Sequence, residues 1–175
     1  MTRIFLNNVI IIGATKQNMG KTYVACKIIE QLSASTSVIG VKISPHFHNL
    51  LPDYKKVVQN DNYIIVEDTV PSNKDSYLMK KSGASTAYYI QCKSDEYVYE
   101  AFNFIYSLHS SMPFVVESGG LIKHITPAKF ILINDEDPFP STKKYYLEYN
   151  PFLVNKGFAE SRDNLQKVLG NMLTL

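Results

Sequence analysis

The sequence predicts a single α/β domain spanning residues 1–175, with helices on both sides of a mainly parallel sheet in three layers. Two observations carry that expectation. Short β-branched apolar runs alternate along the chain with amphipathic stretches at helical spacing, without internal repeats or a break in composition. The first apolar run, Asn8 to Gly13, feeds a polar turn and then a Gly-Lys-Thr helix start, so strand, loop and helix N-terminus come in the order that suits a phosphate. A chain of 175 residues has ample length for one hydrophobic core.

Val9-Ile10-Ile11-Ile12 reads as a buried strand that stops at Gly13. After Thr22, Val24, Ile28, Ile29 and Leu32 mark one face of a helix that ends in the Ser33–Ser37 cluster. Val38–Ile43 is a second buried strand by its β-branched content. Asp61–Asp68 alternates and fits a strand in an exposed edge hairpin. Asn73-Lys74-Asp75-Ser76 opens a helix that runs through Leu78 and Met79 to a stop at Gly83. Ala87–Gln91 is a strand, and Asp95–Leu108 is a helix with Val98, Phe102, Ile105 and Leu108 inward. Pro113–Glu117 and Lys129–Asn134 are the last clear strands. From Pro138 to Lys156 the chain is rich in Tyr, Pro and Lys, which suits a cover over a base, packing on the sheet edge or a dimer contact. Ser161–Leu175, with Leu165, Val168, Leu169 and Met172 at helical spacing, is a packing helix.

The composition is that of a globular protein: 45% hydrophobic, 19% charged and a net charge of +2, too small to argue for a nucleic-acid partner. Cys26 and Cys92 lack metal or redox spacing and read as small core or near-surface residues of a reducing compartment. No segment reaches transmembrane length, and Met-Thr-Arg-Ile-Phe-Leu lacks the long apolar region and cleavage site of a signal peptide. The expectation is a cytoplasmic protein without a membrane partner.

Ligands of open parallel sheets bind beyond the carboxyl ends of the strands. The loops there carry Lys16 to Thr22, then Lys42 with His46 and His48, then Asp68 and Asp75, then Glu117-Ser118-Gly119-Gly120, then Asn134 to Asp137. A polyphosphate needs a concave set of backbone N–H donors, which the loop and helix start supply through Thr15, Lys16, Asn18, Met19, Gly20, Lys21, Thr22 and Tyr23. Gly20 would let the backbone approach closely. Lys21 would reach the β- and γ-phosphates, and the Thr22 hydroxyl would be the first ligand of Mg²⁺. Glu117 at a strand end would hold the same metal directly or through water, and Gly119 would let the chain turn near a γ-phosphate. Asp75 suits either a further metal carboxylate or an ordinary helix N-cap cluster. Lys42 would neutralise a substrate carboxylate or phosphate, or else snorkel to solvent. His46 and His48 suit an anionic group, proton transfer or merely an exposed loop. Asn134, with an Asp close behind it, suits a purine edge or a solvated acidic loop. ATP and GTP both remain open.

Three resemblances extend this reading to a P-loop NTPase fold. Thr15, standing where the usual G-x-x-x-x-G-K-[ST] has glycine, and Val116-Glu117-Ser118-Gly119-Gly120-Leu121 resemble dethiobiotin synthetase. Lys16 stands where the deviant P-loop ATPases of septum positioning and partition carry a signature lysine, which implies a homodimer with Lys16 reaching the partner's nucleotide. Lys42-Ile43-Ser44-Pro45-His46, Lys74-Asp75-Ser76 and Ser82-Gly83-Ala84 resemble the GTP-binding adaptor of molybdopterin-guanine dinucleotide biosynthesis. Ser44 lies near an expected histidine, and Asn73 replaces the glycine before Lys-Asp-Ser. The resemblances imply an Mg²⁺-dependent nucleotide-binding adaptor with a small-molecule or protein partner. The alternatives are an ATP-dependent ligase or small-molecule kinase, with Lys21, Lys16 and Lys42 as its catalytic lysines, and a degenerate P-loop domain without turnover.

Overall fold

The computed structural model describes residues 3–50 and 54–170. Eight strands form one sheet among them: β1 (Ile4–Ala14), β2 (Ile39–Ser44), β3 (Lys55–Gln59), β4 (Tyr63–Glu67), β5 (Thr86–Cys92), β6 (Phe114–Glu117), β7 (Ile125–Ile133) and β8 (Phe152–Val154). Their spatial order is β3-β4-β5-β2-β6-β1-β7-β8. The pairs β3–β4 and β4–β5 are antiparallel, and every other neighbouring pair is parallel. The helices are α1 (Lys21–Leu32), α2 (Asp75–Lys81), α3 (Val98–Leu108) and α4 (Arg162–Leu169). None among the described residues is long and apolar enough to cross a membrane.

β1 lies inside the sheet, and its side chains alternate between two cores. Ile10 and Ile12 pack with α1, α2 and α4 through Ile28, Met79 and Leu165; Val9 and Ile11 face the layer of α3 with Phe102 and Phe114. All four β1 residues are fully buried, which is why their run carries no polar alternation. Each such isoleucine contributes on the order of 1.5–3 kcal/mol of burial.

The differences from the expected elements follow from edges and long-range pairing. β1 begins at Ile4 rather than Asn8, where exposed Ile4 and Phe5 pair with Ile125 and Thr126 before a register shift between Leu6 and Ile10. β7 correspondingly starts four residues early, held there by β1 despite Pro127. The hairpin expected around β4 is present, but β4 is not its exposed arm: it lies between β3 and β5 with Ile65 and Val66 fully buried, and β3, carrying Lys55, Lys56 and Gln59, forms the sheet margin. β8 is a three-residue margin strand inside the tyrosine-rich region. Leu108 is not inward: it is the last residue of α3 and stays exposed. The tail forms a helix over Arg162–Leu169, while Met172 lies outside the described residues.

For the tyrosine-rich region, the sheet-packing alternative applies within the chain. Ser141–Tyr149 is a 3-10 segment whose buried Tyr146 ring sits 5.7 Å from that of Phe130. Cys92 ends β5 fully buried, with its thiol pushed up to about 12 by burial, and Cys26 is half-buried on α1.

Candidate functional site

Adjacent parallel strands β2, β6 and β1 end side by side, so their last residues share one rim. Register places Lys42 beside Glu117 and Ile12 on its other side, while β1 leads through its loop into α1. A cleft of about 860 Å³ opens there, a size that suits a small-molecule ligand.

Glu117 is the centre of the arrangement. Only 2% of its side chain is exposed, and three groups from two elements, α1 and β2, surround it. Thr22 Oγ1 donates to its Oε2 at 2.8 Å, Lys42 Nζ donates to Oε1 at 2.5 Å, and Lys21 Nζ lies 4.0 Å from Oε1. Lys42 Nζ also lies 2.8 Å from Asp75 Oδ2 at the start of α2. Two cations therefore balance two carboxylates, the condition under which a buried carboxylate is tolerated.

The electrostatics differ among the four groups. Burial is the largest influence on Lys21 and, with repulsion from Lys42, holds its ammonium below the usual lysine range despite Glu117. Burial also opposes the charge on Lys42, but Glu117 and Asp75 together outweigh it and push that ammonium up. Asp75 is drawn below the ordinary carboxylate range because hydrogen bonding and charge from Lys42, with help from Thr22, overcome burial.

The start of α1 complements this pair of acids. Gly20 is its N-cap at φ +82°, in the left-handed region that glycine enters without penalty, and Asn18 precedes it at φ +57°. No side chain caps the helix and no acidic residue stands in its first turn. Its N–H groups and partial positive charge are thus offered to the cleft. The nearest atom to a Cβ built on Gly20 is Lys156 Cγ, at 3.9 Å, so it is the backbone conformation rather than crowding that asks for glycine.

The cleft brings together Asn18, Met19, Gly20, Lys21, Thr22, Lys42, Asp75 and Glu117, with His46 and His48 on an exposed loop at its side. Asp75 does not serve as a side-chain cap, since α2 starts from Lys74 without one. Other candidates lie outside the lining. Thr15 is buried and donates from Oγ1 to Asn134 Oδ1 at 2.9 Å, while Asn134 Nδ2 donates to the Glu136 carbonyl. Both polar ends of the Asn134 amide are therefore used inside the protein. Lys16 is 63% exposed and ion-paired with Glu136. Tyr23 projects from α1 with its ring 5.8 Å from Lys27 Nζ. Gly119 sits under Tyr146, whose hydroxyl donates to its carbonyl and would lie 2.9 Å from a Cβ there. Asp68 is buried behind the rim, accepting from Ser76 Oγ at 2.6 Å.

Ser44, from the Lys42–His46 motif, also lines the cleft, as do Tyr54 and Tyr89, which escape a motif search. Tyr89 lies in a run that reads as core, and only the β2–β5 register sets it beside Lys42. Tyr54 belongs to no motif, so its place depends wholly on the tertiary fold.

Among the described residues, no group of three or more His, Cys, Asp or Glu is arranged to hold a metal. Two carboxylates and a hydroxyl suit Mg²⁺, which retains waters and takes phosphate oxygens, better than an ion caged by protein alone. The fold and site thus define an α/β protein with a mainly parallel sheet and a cleft of paired charges at its carboxyl rim. No protein-family model, curated protein or solved structure matches the chain.

Proposed function

We propose that this chain is a P-loop NTPase-type protein that binds an Mg²⁺–nucleoside triphosphate, ATP or GTP. Its proposed role is that of an adaptor in cofactor biosynthesis of the molybdopterin-guanine dinucleotide kind. The observation that carries the nucleotide reading is the convergence of Lys21 and Thr22, on an uncapped helix start, upon buried Glu117 at the end of a neighbouring parallel strand. The adaptor role itself comes from the resemblance of the motifs.

In this reading the loop through Asn18 to Thr22 cradles the phosphates, and Lys21 pairs with the β- and γ-oxygens. Thr22, Glu117 and Asp75 are the residues that would hold Mg²⁺, which when bound neutralises phosphate charge. Glu117 and Asp75 pair with Lys42 and would be taken up by the metal in the loaded site, leaving neither as a free base to activate a nucleophile. Slow turnover and an adaptor role fit that arrangement. A homodimer follows from the resemblance as well, but Lys16 would have to leave Glu136 to reach a partner's nucleotide.

A second reading, an ATP-dependent ligase or small-molecule kinase, draws on the part of the cleft beyond the loop. Ser44, Tyr54 and Tyr89 border space beside Lys42 where a carboxylate or hydroxyl substrate would be positioned.

The test is calorimetric titration of ATP and GTP analogues with Mg²⁺ on wild type and Lys21→Ala. One nucleotide should bind tightly, and the variant should lose affinity by about 10–100-fold, the value of a charge-assisted phosphate contact. Equal affinity in both proteins would remove Lys21 from the site, and absence of binding would reduce the chain to a degenerate domain. Phosphate release that depends on a small carboxylate would select the ligase; co-purification with a cofactor-synthesising enzyme would select the adaptor.

A further inference from the structure

Lys42 holds a position that the nucleotide reading leaves unexplained. Its ammonium lies 2.5 Å from Glu117 Oε1 and 2.8 Å from Asp75 Oδ2, between the two carboxylates that this reading assigns to Mg²⁺. These acids come from different elements, β6 and α2, and both face the same cleft as Thr22. Resting on that reading, we propose that the Lys42 ammonium is a built-in stand-in for the metal, displaced when Mg²⁺ enters with the triphosphate.

The geometry gives this exchange its physical content. An ammonium nitrogen and a divalent ion compete for the same oxygens, and both cannot sit between them without strong repulsion at a few ångströms. Mg²⁺ binds oxygen at about 2.0–2.1 Å, closer than the ammonium, so exchange draws the acids slightly inward or leaves one bridged by water. The Asp75 side chain is 40% exposed at a helix start and can make that adjustment, while Glu117 is fixed by burial and by Thr22. Lys21 adds a second positive charge 4.0 Å from Glu117. Without nucleotide, a divalent ion would meet two ammonium groups and no phosphate. Metal binding is thereby made conditional on the triphosphate, whose negative charge offsets the lysines. The released Lys42 is then free for an anionic group in the adjoining part of the cleft.

The experiment is Mn²⁺ titration, read by electron paramagnetic resonance, of nucleotide-free wild type, Lys42→Met and Lys42→Met/Glu117→Gln. Circular dichroism would establish that each is folded. Wild type should show only weak binding, Lys42→Met should bind Mn²⁺ about tenfold or more tightly, and the added Glu117→Gln should abolish the gain. Equal binding by wild type and Lys42→Met would overturn the proposal, as would a gain that survives Glu117→Gln. Should Lys42→Met fail to fold, Lys42→Gln, which removes the charge but keeps a polar side chain, takes its place with the same outcomes. Calorimetry of ATP and GTP on the same wild-type preparation separates the two ideas. Absence of nucleotide binding by wild type, with a gain of Mn²⁺ affinity in Lys42→Met, would sink the nucleotide reading while leaving a latent cation site, whereas nucleotide binding by wild type without that gain would sink only the stand-in.

Discussion

At the scale of single residues, the chemistry is concentrated on a carboxylate that water scarcely reaches. Glu117 accepts from a hydroxyl and an ammonium, so changing its charge while keeping its shape separates metal binding from phosphate binding. Glu117→Gln should sharply reduce the stimulation of nucleotide binding by Mg²⁺ but leave affinity in EDTA within about threefold, since Lys21 and the helix start remain. Equal losses in calorimetric titrations with Mg²⁺ and with EDTA would remove Glu117 from the metal. Asp75 offers a test through pH. Its folded-state pKa is lowered from 3.8, so its contribution to stability is present above the unfolded value and is lost as pH falls through the folded one. Wild type should therefore lose stability below about pH 4 more steeply than Asp75→Asn. Urea midpoints from neutral pH downward check this; parallel curves would mean that the Lys42–Asp75 pair contributes nothing to folding. The pair itself is illegible in sequence, which offers Lys42 as a partner for a substrate anion or a snorkelling lysine and Asp75 as a metal carboxylate or a capping acid, but never as partners of each other.

At the scale of elements, legibility follows burial. The β1 core, β2, β5 and β6 announce themselves by apolar runs because both faces of each are covered, whereas β3 and β8 lie at sheet margins where no such run is required. Helix stops were legible where backbone conformation restricts the choice of residue. Gly83 follows α2 at φ +109°, and a Cβ there would lie 2.5 Å from Ser33 Oγ just past α1. Gly83→Ala should therefore destabilise the protein by about 1–3 kcal/mol, combining backbone strain with crowding. In a Ser33→Ala background the contact with Oγ is removed while the Cβ contact at 3.1 Å and the strain remain, so the penalty should shrink without vanishing. Chemical denaturation of the four proteins measures both parts; an unchanged midpoint in Gly83→Ala would remove the steric account of this stop.

At the scale of the molecule, the strand order interlaces the two ends of the chain. β1 lies between β6 and β7, and β6 separates it from β2, so strands from the first 44 residues are joined only by strands that begin at residue 114. That interlacing also builds the site. Lys42 and Glu117 are 75 positions apart and Thr22 and Glu117 are 95, distances at which sequence can name the residues but not their contacts. Alternation of strands and helices signals a parallel sheet, yet several strand orders share that alternation, and it is the β2–β6 adjacency of the observed one that aligns Lys42 with Glu117. A fragment ending at residue 110 keeps β1 to β5 but deprives β1 of both neighbours and exposes the surfaces of Ile10 and Ile11 that β6 and β7 cover. It should show no cooperative urea transition. The full chain should unfold in one step, with far-ultraviolet circular dichroism and tyrosine fluorescence, the sequence having no Trp, giving coincident curves. A cooperative transition in the fragment, or two separated transitions in the full chain, would mean that the β3-β4-β5-β2 portion folds independently and that the cleft lies at a joint between two units rather than at the rim of one sheet.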